Sequence, residues 1–127
     1  MTERAVVLLS GGLDSTILVG VMSRLMSEPV RTFSIGFEGD EAFDETAVAR
    51  DTARAFGTRH TEFRVRPSAV DLIDTLVYHH DGPFADSSAI PTYLVSKLTR
   101  EHVTVALTGD GGDEVFAGYL RFAAALA

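Results

Sequence analysis

The sequence predicts an α/β domain in which a parallel, twisted sheet of about four strands carries helices on both faces. Three observations lead there. Short apolar, β-branched runs alternate along the chain with stretches whose apolar residues recur at steps of three and four. Strands separated by helices in this way imply right-handed crossovers and parallel pairing. Finally, two glycine-rich turns each follow a strand directly, which puts both at the carboxyl edge where such sheets receive ligands.

Taken in order, "RAVVLL" at 4–9 is a run apolar on consecutive positions, as a strand covered on both faces requires. From Leu13 the apolar residues Leu13, Ile17, Leu18, Val21, Met22, Leu25 and Met26 follow helical spacing until Pro29 stops them. "VRTFSIGF" at 30–37 reads as the second strand. Phe43, Ala47, Val48, Ala55 and Phe56 mark a second helix that ends at Gly57, a residue suited to the left-handed position after a helix. "HTEFRV" at 60–65 is a third strand.

Ser68 with Asp71 three residues on resembles a capping box, opening a helix with Val70, Ile73, Leu76 and Val77 inward. "DGPFADSS" at 81–88 breaks that helix. Another follows from about Ala89 to Glu101, with Ile90, Leu94 and Leu98 inward and Pro91 tolerated in its first turn. "VTVAL" at 103–107 reads as the fourth strand, and from Val115 onward the chain is helical, with Phe116, Tyr119 and Phe122 on one side. No repeat, linker or low-complexity tract interrupts these 127 residues, so a single domain with one core is expected.

Composition narrows the function. With 46% hydrophobic and 23% charged residues the chain has the balance of an ordinary folded domain. Its formal net charge of −7 opposes non-specific attraction to nucleic acid and to anionic lipid, so neither is expected as a partner. No apolar stretch is long enough to cross a bilayer and no secretory signal is visible; the cytoplasm is the expected location. The absence of cysteine excludes disulfides, thiolate zinc sites and a cysteine nucleophile.

The first turn, "LLSGGLDS" at 8–15, carries the chemistry. Gly11 and Gly12 leave no side chain to hold an anion away from the backbone, whose amides converge at the positive end of the following helix. Ser10 and Ser15 add hydroxyl donors. Asp14 would repel phosphate unless a cation lay between, and magnesium resolves that conflict because it takes carboxylate and phosphate oxygens together. A plain strand-to-helix turn capped by Asp14 is the alternative. The spacing is not that of a Walker A loop, no lysine follows the glycines, and the G-x-G-x-x-G pattern is missing. Amides plus metal suit a site that retains pyrophosphate as a leaving group while a nucleophile attacks the α-phosphorus.

In the second turn, "TGDGGDE", Asp110, Asp113 and Glu114 stand among Gly109, Gly111 and Gly112. If Asp113 faces Asp14 across the strand ends, the two make a magnesium seat; an acidic turn that caps the last helix is the other reading. His79, His80 and Asp81 do not read as a metal cluster, because adjacent helical residues point about 100° apart. Asp44 and Glu45 read as a solvated helix face, and Tyr93 as packing.

Four strings in order, "LLSGGLDS", "SIGFE" with "FDE" and "FGTRH" after it, "PFADSSAIPTYLVSKL" and "VALTGDGGDEVFAGY", resemble the synthetase domain of glutamine-hydrolysing asparagine synthetases, within the N-type ATP pyrophosphatase group. The match runs from Val6 to Tyr119, and β-lactam synthetases share much of it. The resemblance implies a Rossmann-like fold of the adenine-nucleotide α-hydrolase kind, with ATP and Mg2+ as ligands. It implies that Ser10, Gly11, Gly12, Asp14 and Ser15 hold pyrophosphate and that Asp14 and Asp113 bind magnesium. By the same resemblance Leu9, Ile35, Thr108 and Gly109 line the ATP site, Gly36 permits close approach of the nucleotide, and Asp110 stands where many asparagine synthetases carry a glutamate near the reacting centre. The family reaction adenylates aspartate, after which ammonia displaces AMP.

Three departures bear on that carry-over. Related sequences read D-E-P where this one has Asp81-Gly82-Pro83; the glutaminase domain of the family is absent; and so is the region after the second turn, which in relatives supplies a lysine and arginine contacts that Lys97 does not match. The expectation is therefore a nucleotide-binding domain truncated relative to the family and incomplete for catalysis alone. Faces that missing segments would cover favour self-association. A degenerate or regulatory nucleotide-binding module, and a related ATP pyrophosphatase that acts on another carboxylate, are the alternatives.

Overall fold

The computed structural model describes residues 6–38, 44–66, 69–83, 85–86 and 88–125. Phe43, placed at the start of the second helix, and Ser68, the first half of the capping box, lie outside the described residues. The elements run β1 (Val6–Leu8), α1 (Leu13–Leu25), β2 (Arg31–Phe37), α2 (Thr46–Ala55), β3 (Arg59–Val65), α3 (Ala69–His79), α4 (Ala89–Arg100), α5 (Gly112–Phe116) and α6 (Leu120–Ala125). The strands form one parallel sheet in the order β1-β2-β3, with Val7 opposite Thr32 and Thr32 opposite His60. None of the described helices is long and apolar enough to cross a membrane.

The expected fourth strand shrinks to one bridge. Leu107 pairs in parallel with Val7, accepting from the Leu8 N–H at 2.9 Å and donating to the Val6 carbonyl at 2.8 Å. Its neighbours do not extend the ladder, for two reasons. The chain leaving α4 is held back as the N–H groups of His102 and Val103 bond to the Thr99 carbonyl, and β1 offers only three described residues to pair with. β-branched residues favour a strand where a pleated, covered surface awaits them, and Val105 remains 59% exposed instead.

One face of the sheet packs on α1 and α2. Val7 and Leu9 meet Val19 and Met22 of α1 and Ala49 and Ala53 of α2, and the two small alanines let α2 lie close. On the other face Phe33 stacks against Phe63 at 5.5 Å and His102 joins the stack, with α4 packed over β2. Each fully buried Val, Leu or Phe side chain contributes about 1.5–3 kcal/mol here.

Two helix faces differ from their sequence pattern. In α1 the core takes Val19 and Met22, whereas Leu13, Ile17, Val21 and Leu25 form a stripe on the outer side. In α3, Ile73 and Val77 are exposed because the helix packs chiefly on α4, so only one flank is covered. The helix expected from Val115 onward is two short pieces, since Ala117 adopts the left-handed conformation at the end of α5.

Candidate functional site

β1 delivers the chain to the sheet's carboxyl edge, where the Leu9 N–H bonds the Phe33 carbonyl at 2.7 Å. Gly11 then takes φ +88, a conformation that suits glycine, and a Cβ there would lie 3.0 Å from the Glu45 carbonyl oxygen. Gly12 caps α1 from extended backbone, and no side chain caps the helix. Helix geometry leaves the first amides of α1 without partners inside the helix, so this end presents donors and a positive dipole.

Ser15 holds the turn together. It is buried, its Oγ accepts the Ser10 N–H at 3.3 Å, lies 3.1 Å from the Ser10 Oγ and donates to the Gly12 carbonyl at 3.2 Å. The Thr16 hydroxyl donates to the same carbonyl at 2.8 Å. Ser10 is exposed, and its Oγ accepts the Gly12 N–H at 3.3 Å.

The second turn seats directly on the first. A Cβ at Gly109 would lie 2.9 Å from the Ser15 nitrogen and 3.1 Å from the Asp14 Cβ, and one at Gly112 would lie 2.3 Å from the Asp14 Cγ. Bare backbone at these two positions is what lets the turns touch. Asp14 therefore turns its carboxylate onto Gly112 at the start of α5, while the Asp113 carboxylate packs on Gly118, just past the end of that helix. Asp110 is exposed; its carboxylate accepts the Thr108 hydroxyl at 2.8 Å, and its own N–H returns to that hydroxyl at 3.3 Å. Among the described residues no three His, Asp or Glu side chains gather as a metal cage. Asp14 and Asp113 are hard oxygen donors, the kind that magnesium takes.

Beside this junction a cleft of about 730 Å³ opens between the ends of β1 and β2, the start of α2 and the first half of α4. That volume is ordinary for a small-molecule site. Leu9, Ser10, Ile35 and Gly36 border it, whereas Thr108 and Gly109 do not. The residues singled out in the sequence thus fall into two adjoining groups: Leu9, Ser10, Ile35 and Gly36 at the cleft, and Gly11, Gly12, Asp14, Ser15, Thr108, Gly109, Asp110 and Asp113 at the two turns. Gly36 has a second reason to be glycine, because a Cβ there would lie 2.8 Å from the Thr46 Cγ2 of α2. The cleft wall built by Ile90, Pro91 and Val95 of α4 was not foreseen as part of the site; the rule that ligands gather beyond the strand ends, applied to the helix starting near that edge, was the available signal.

The rim at α2 is more ordered than a solvated helix face. Asp44 accepts the Thr46 N–H at 3.0 Å and its hydroxyl too, and pairs with Arg64 at 3.3 Å. The hydrogen bonds from Thr46, together with Arg64, hold the Asp44 carboxyl below its ordinary pKa. Burial raises the Glu62 carboxyl, but the hydrogen bonds from Arg50 and Arg64 outweigh it and leave the group lowered. Between these strands His60 contacts the Thr32 hydroxyl through Nδ1 at 2.9 Å and the Ser34 hydroxyl through Nε2 at 3.2 Å, and burial depresses its pKa.

Comparison with known proteins agrees with this architecture. Residues 2–127 match the family model described as asparagine synthase. The chain belongs to the asparagine synthase family. It is 46% identical over 114 residues to a putative glutamine-hydrolysing asparagine synthetase 2 of Methanocaldococcus jannaschii, with 88% of this chain and 22% of the relative covered. It is 43% identical over 112 residues to the glutamine-hydrolysing asparagine synthetase 1 of Bacillus subtilis, covering 87% of this chain and 17% of that one. The chain therefore spans about a fifth of the length of these relatives.

Among solved structures it is similar to a glutamine-dependent NAD+ synthetase from Acinetobacter baumannii in complex with ADP (TM-score 0.61, 18% identity, covering 92% of this chain and 23% of the other). It is also similar to an NH3-dependent NAD synthetase from Campylobacter jejuni (TM-score 0.58, 15% identity, covering 94% and 52%). At such identities the likeness is one of fold, a parallel sheet flanked by helices.

Proposed function

We propose that this chain is the Mg-ATP-binding part of an asparagine-synthase-type ligase. In this reading the amides of Gly11, Gly12 and the first turn of α1, with the Ser10 hydroxyl, receive the pyrophosphate half of ATP. Asp14 and Asp113 hold magnesium against those phosphates, and the cleft beside Ile35 and Gly36 takes the nucleoside. Thr108 and Gly109 shape the second turn, and Asp110, exposed beside Asp113, faces the acceptor. Magnesium, when bound, neutralises phosphate charge and makes pyrophosphate a better leaving group. The aspartate side-chain carboxylate attacks the α-phosphorus, pyrophosphate leaves with its charge held by the first turn, and ammonia displaces AMP from the acyl adenylate.

The seating of Gly109 and Gly112 on Asp14 is the observation that carries this reading: it puts the acidic second turn against the amide-bearing start of α1. Calorimetry with Mg-ATP tests it. Wild type is expected to bind, and Asp14→Ala to bind about tenfold more weakly or worse, the scale of one charge-assisted contact. No heat from wild type, or an unchanged affinity in Asp14→Ala, overturns the proposal.

A second reading, a nucleotide-binding module without catalysis, is favoured by Asp110, whose carboxylate is tied back to Thr108. Aspartate-dependent exchange of pyrophosphate into ATP separates the two. The same assay run with other carboxylates identifies the acceptor.

A further inference from the structure

The sheet face that carries α4 has a second cavity, about 480 Å³, between the later turns of α4 and the 103–108 segment. Its wall includes Tyr93, Lys97, Thr99, Arg100, Thr104 and Thr108. In a chain of net charge −7 this cavity holds the only lysine, and Lys97 and Arg100 stand three residues apart on one flank of the helix.

Neither cation has a carboxylate partner among the described residues, where the ion pairs formed by arginine involve Arg50, Arg54, Arg64 and Arg66. The Lys97 ammonium lies 5.8 Å from the Tyr93 ring centre, and the Arg100 Nη1 reaches only the Val103 carbonyl, at 3.5 Å. Most of the five guanidinium donors of Arg100 thus stay available. The negative end of α4 explains why cations sit in its last turn. It does not explain a cavity whose wall carries Ser96 and Thr104 beside them. Thr99, in the wall, is buried with an Oγ1 that makes no hydrogen bond, an arrangement that costs free energy until an oxygen or donor is supplied.

We propose that this cavity is a second binding site, for a small oxyanion, held by the forked donors of Arg100, the point charge of Lys97 and the hydroxyl of Thr104. Carboxylate and phosphate share the chemistry, since both match the planar guanidinium fork. The site opens on the later turns of α4, whereas the proposed nucleotide cleft takes its first half, with Leu8 lining both; the proposal does not depend on that reading.

The test is amide chemical-shift titration of the whole isotope-labelled chain, with inorganic phosphate in one arm and succinate in the other. Saturable shifts across residues 96–104 are expected in at least one arm, which identifies the source of the anion. They should weaken about tenfold in Lys97→Gln and in Arg100→Gln, persist in Asp14→Ala, and fade as salt rises. Shifts confined to residues 10–15, shifts unaltered by both α4 variants, shifts abolished by Asp14→Ala, or no saturable shifts in either arm overturn the proposal.

Discussion

A single methyl group placed on Gly109 probes whether the two turns depend on touching. In Gly109→Ala the new Cβ would stand 2.9 Å from the backbone nitrogen of Ser15 and 3.1 Å from the Asp14 Cβ. Neither atom ends a flexible side chain, so the second turn or the start of α1 must move by several tenths of an ångström. Overpacking of this kind costs about 1–3 kcal/mol, and the lower entropy of an unfolded alanine offsets about 0.4–1 kcal/mol of it. The net is about 1–2 kcal/mol, or several degrees in melting temperature for a domain of this size.

Gly112→Ala is the control. The three atoms nearest its Cβ would be the carboxyl atoms of Asp14, at 2.3–2.6 Å, and these can swing away about χ1. The fold should lose less than about 1 kcal/mol, a rotamer-scale cost, while Asp14 is displaced. Urea unfolding and Mg-ATP calorimetry on both variants are the assays. Gly109→Ala should lose stability, and Gly112→Ala should keep its stability yet bind about tenfold more weakly. Wild-type stability in Gly109→Ala together with wild-type binding in Gly112→Ala would refute the packing of the two turns.

Other consequences can be measured directly. Ser15→Ala removes a buried hydroxyl that accepts the Ser10 N–H and donates to the Gly12 carbonyl; a loss of about 1–2 kcal/mol in urea unfolding is expected, and no loss would mean that the turn is held by its glycines alone. His60 has a folded pKa depressed by burial, so the unfolded chain binds its proton more readily. Its contribution is present above the unfolded value of 6.5 and is lost as pH falls through the folded pKa; in His60→Gln the unfolding midpoint should vary less with pH below about 6.5. Asp44 and Glu62, whose folded pKa values are lowered, add a further loss as pH falls below their unfolded values of 3.8 and 4.5 towards the folded ones. The stripe of Leu13 at 74% and Leu25 at 80% exposure predicts concentration-dependent self-association in sedimentation, suppressed in Leu13→Lys/Leu25→Lys; a wild-type monomer at every concentration would contradict it.

Much of this protein follows from local pattern. The alternation of apolar runs with helical spacing specifies a parallel α/β sheet because period and turn chemistry are short-range properties of the chain. The glycine-rich character of the first turn was likewise legible, since Gly11 occupies the left-handed conformation that suits a residue without Cβ. Tertiary contact decided the rest. Spacing in α1 cannot say which of two apolar stripes meets the sheet, and packing chose Val19 and Met22 over Leu13 and Leu25. β-branched residues at 103–107 cannot form a strand without an edge long enough to pair with, and β1 gives them a single bridge. The closeness of Asp14 to Gly112, nearly a hundred residues later in the chain, arises only when folding brings the carboxyl ends of β1 and of the 103–107 segment together, because no local preference acts across that separation.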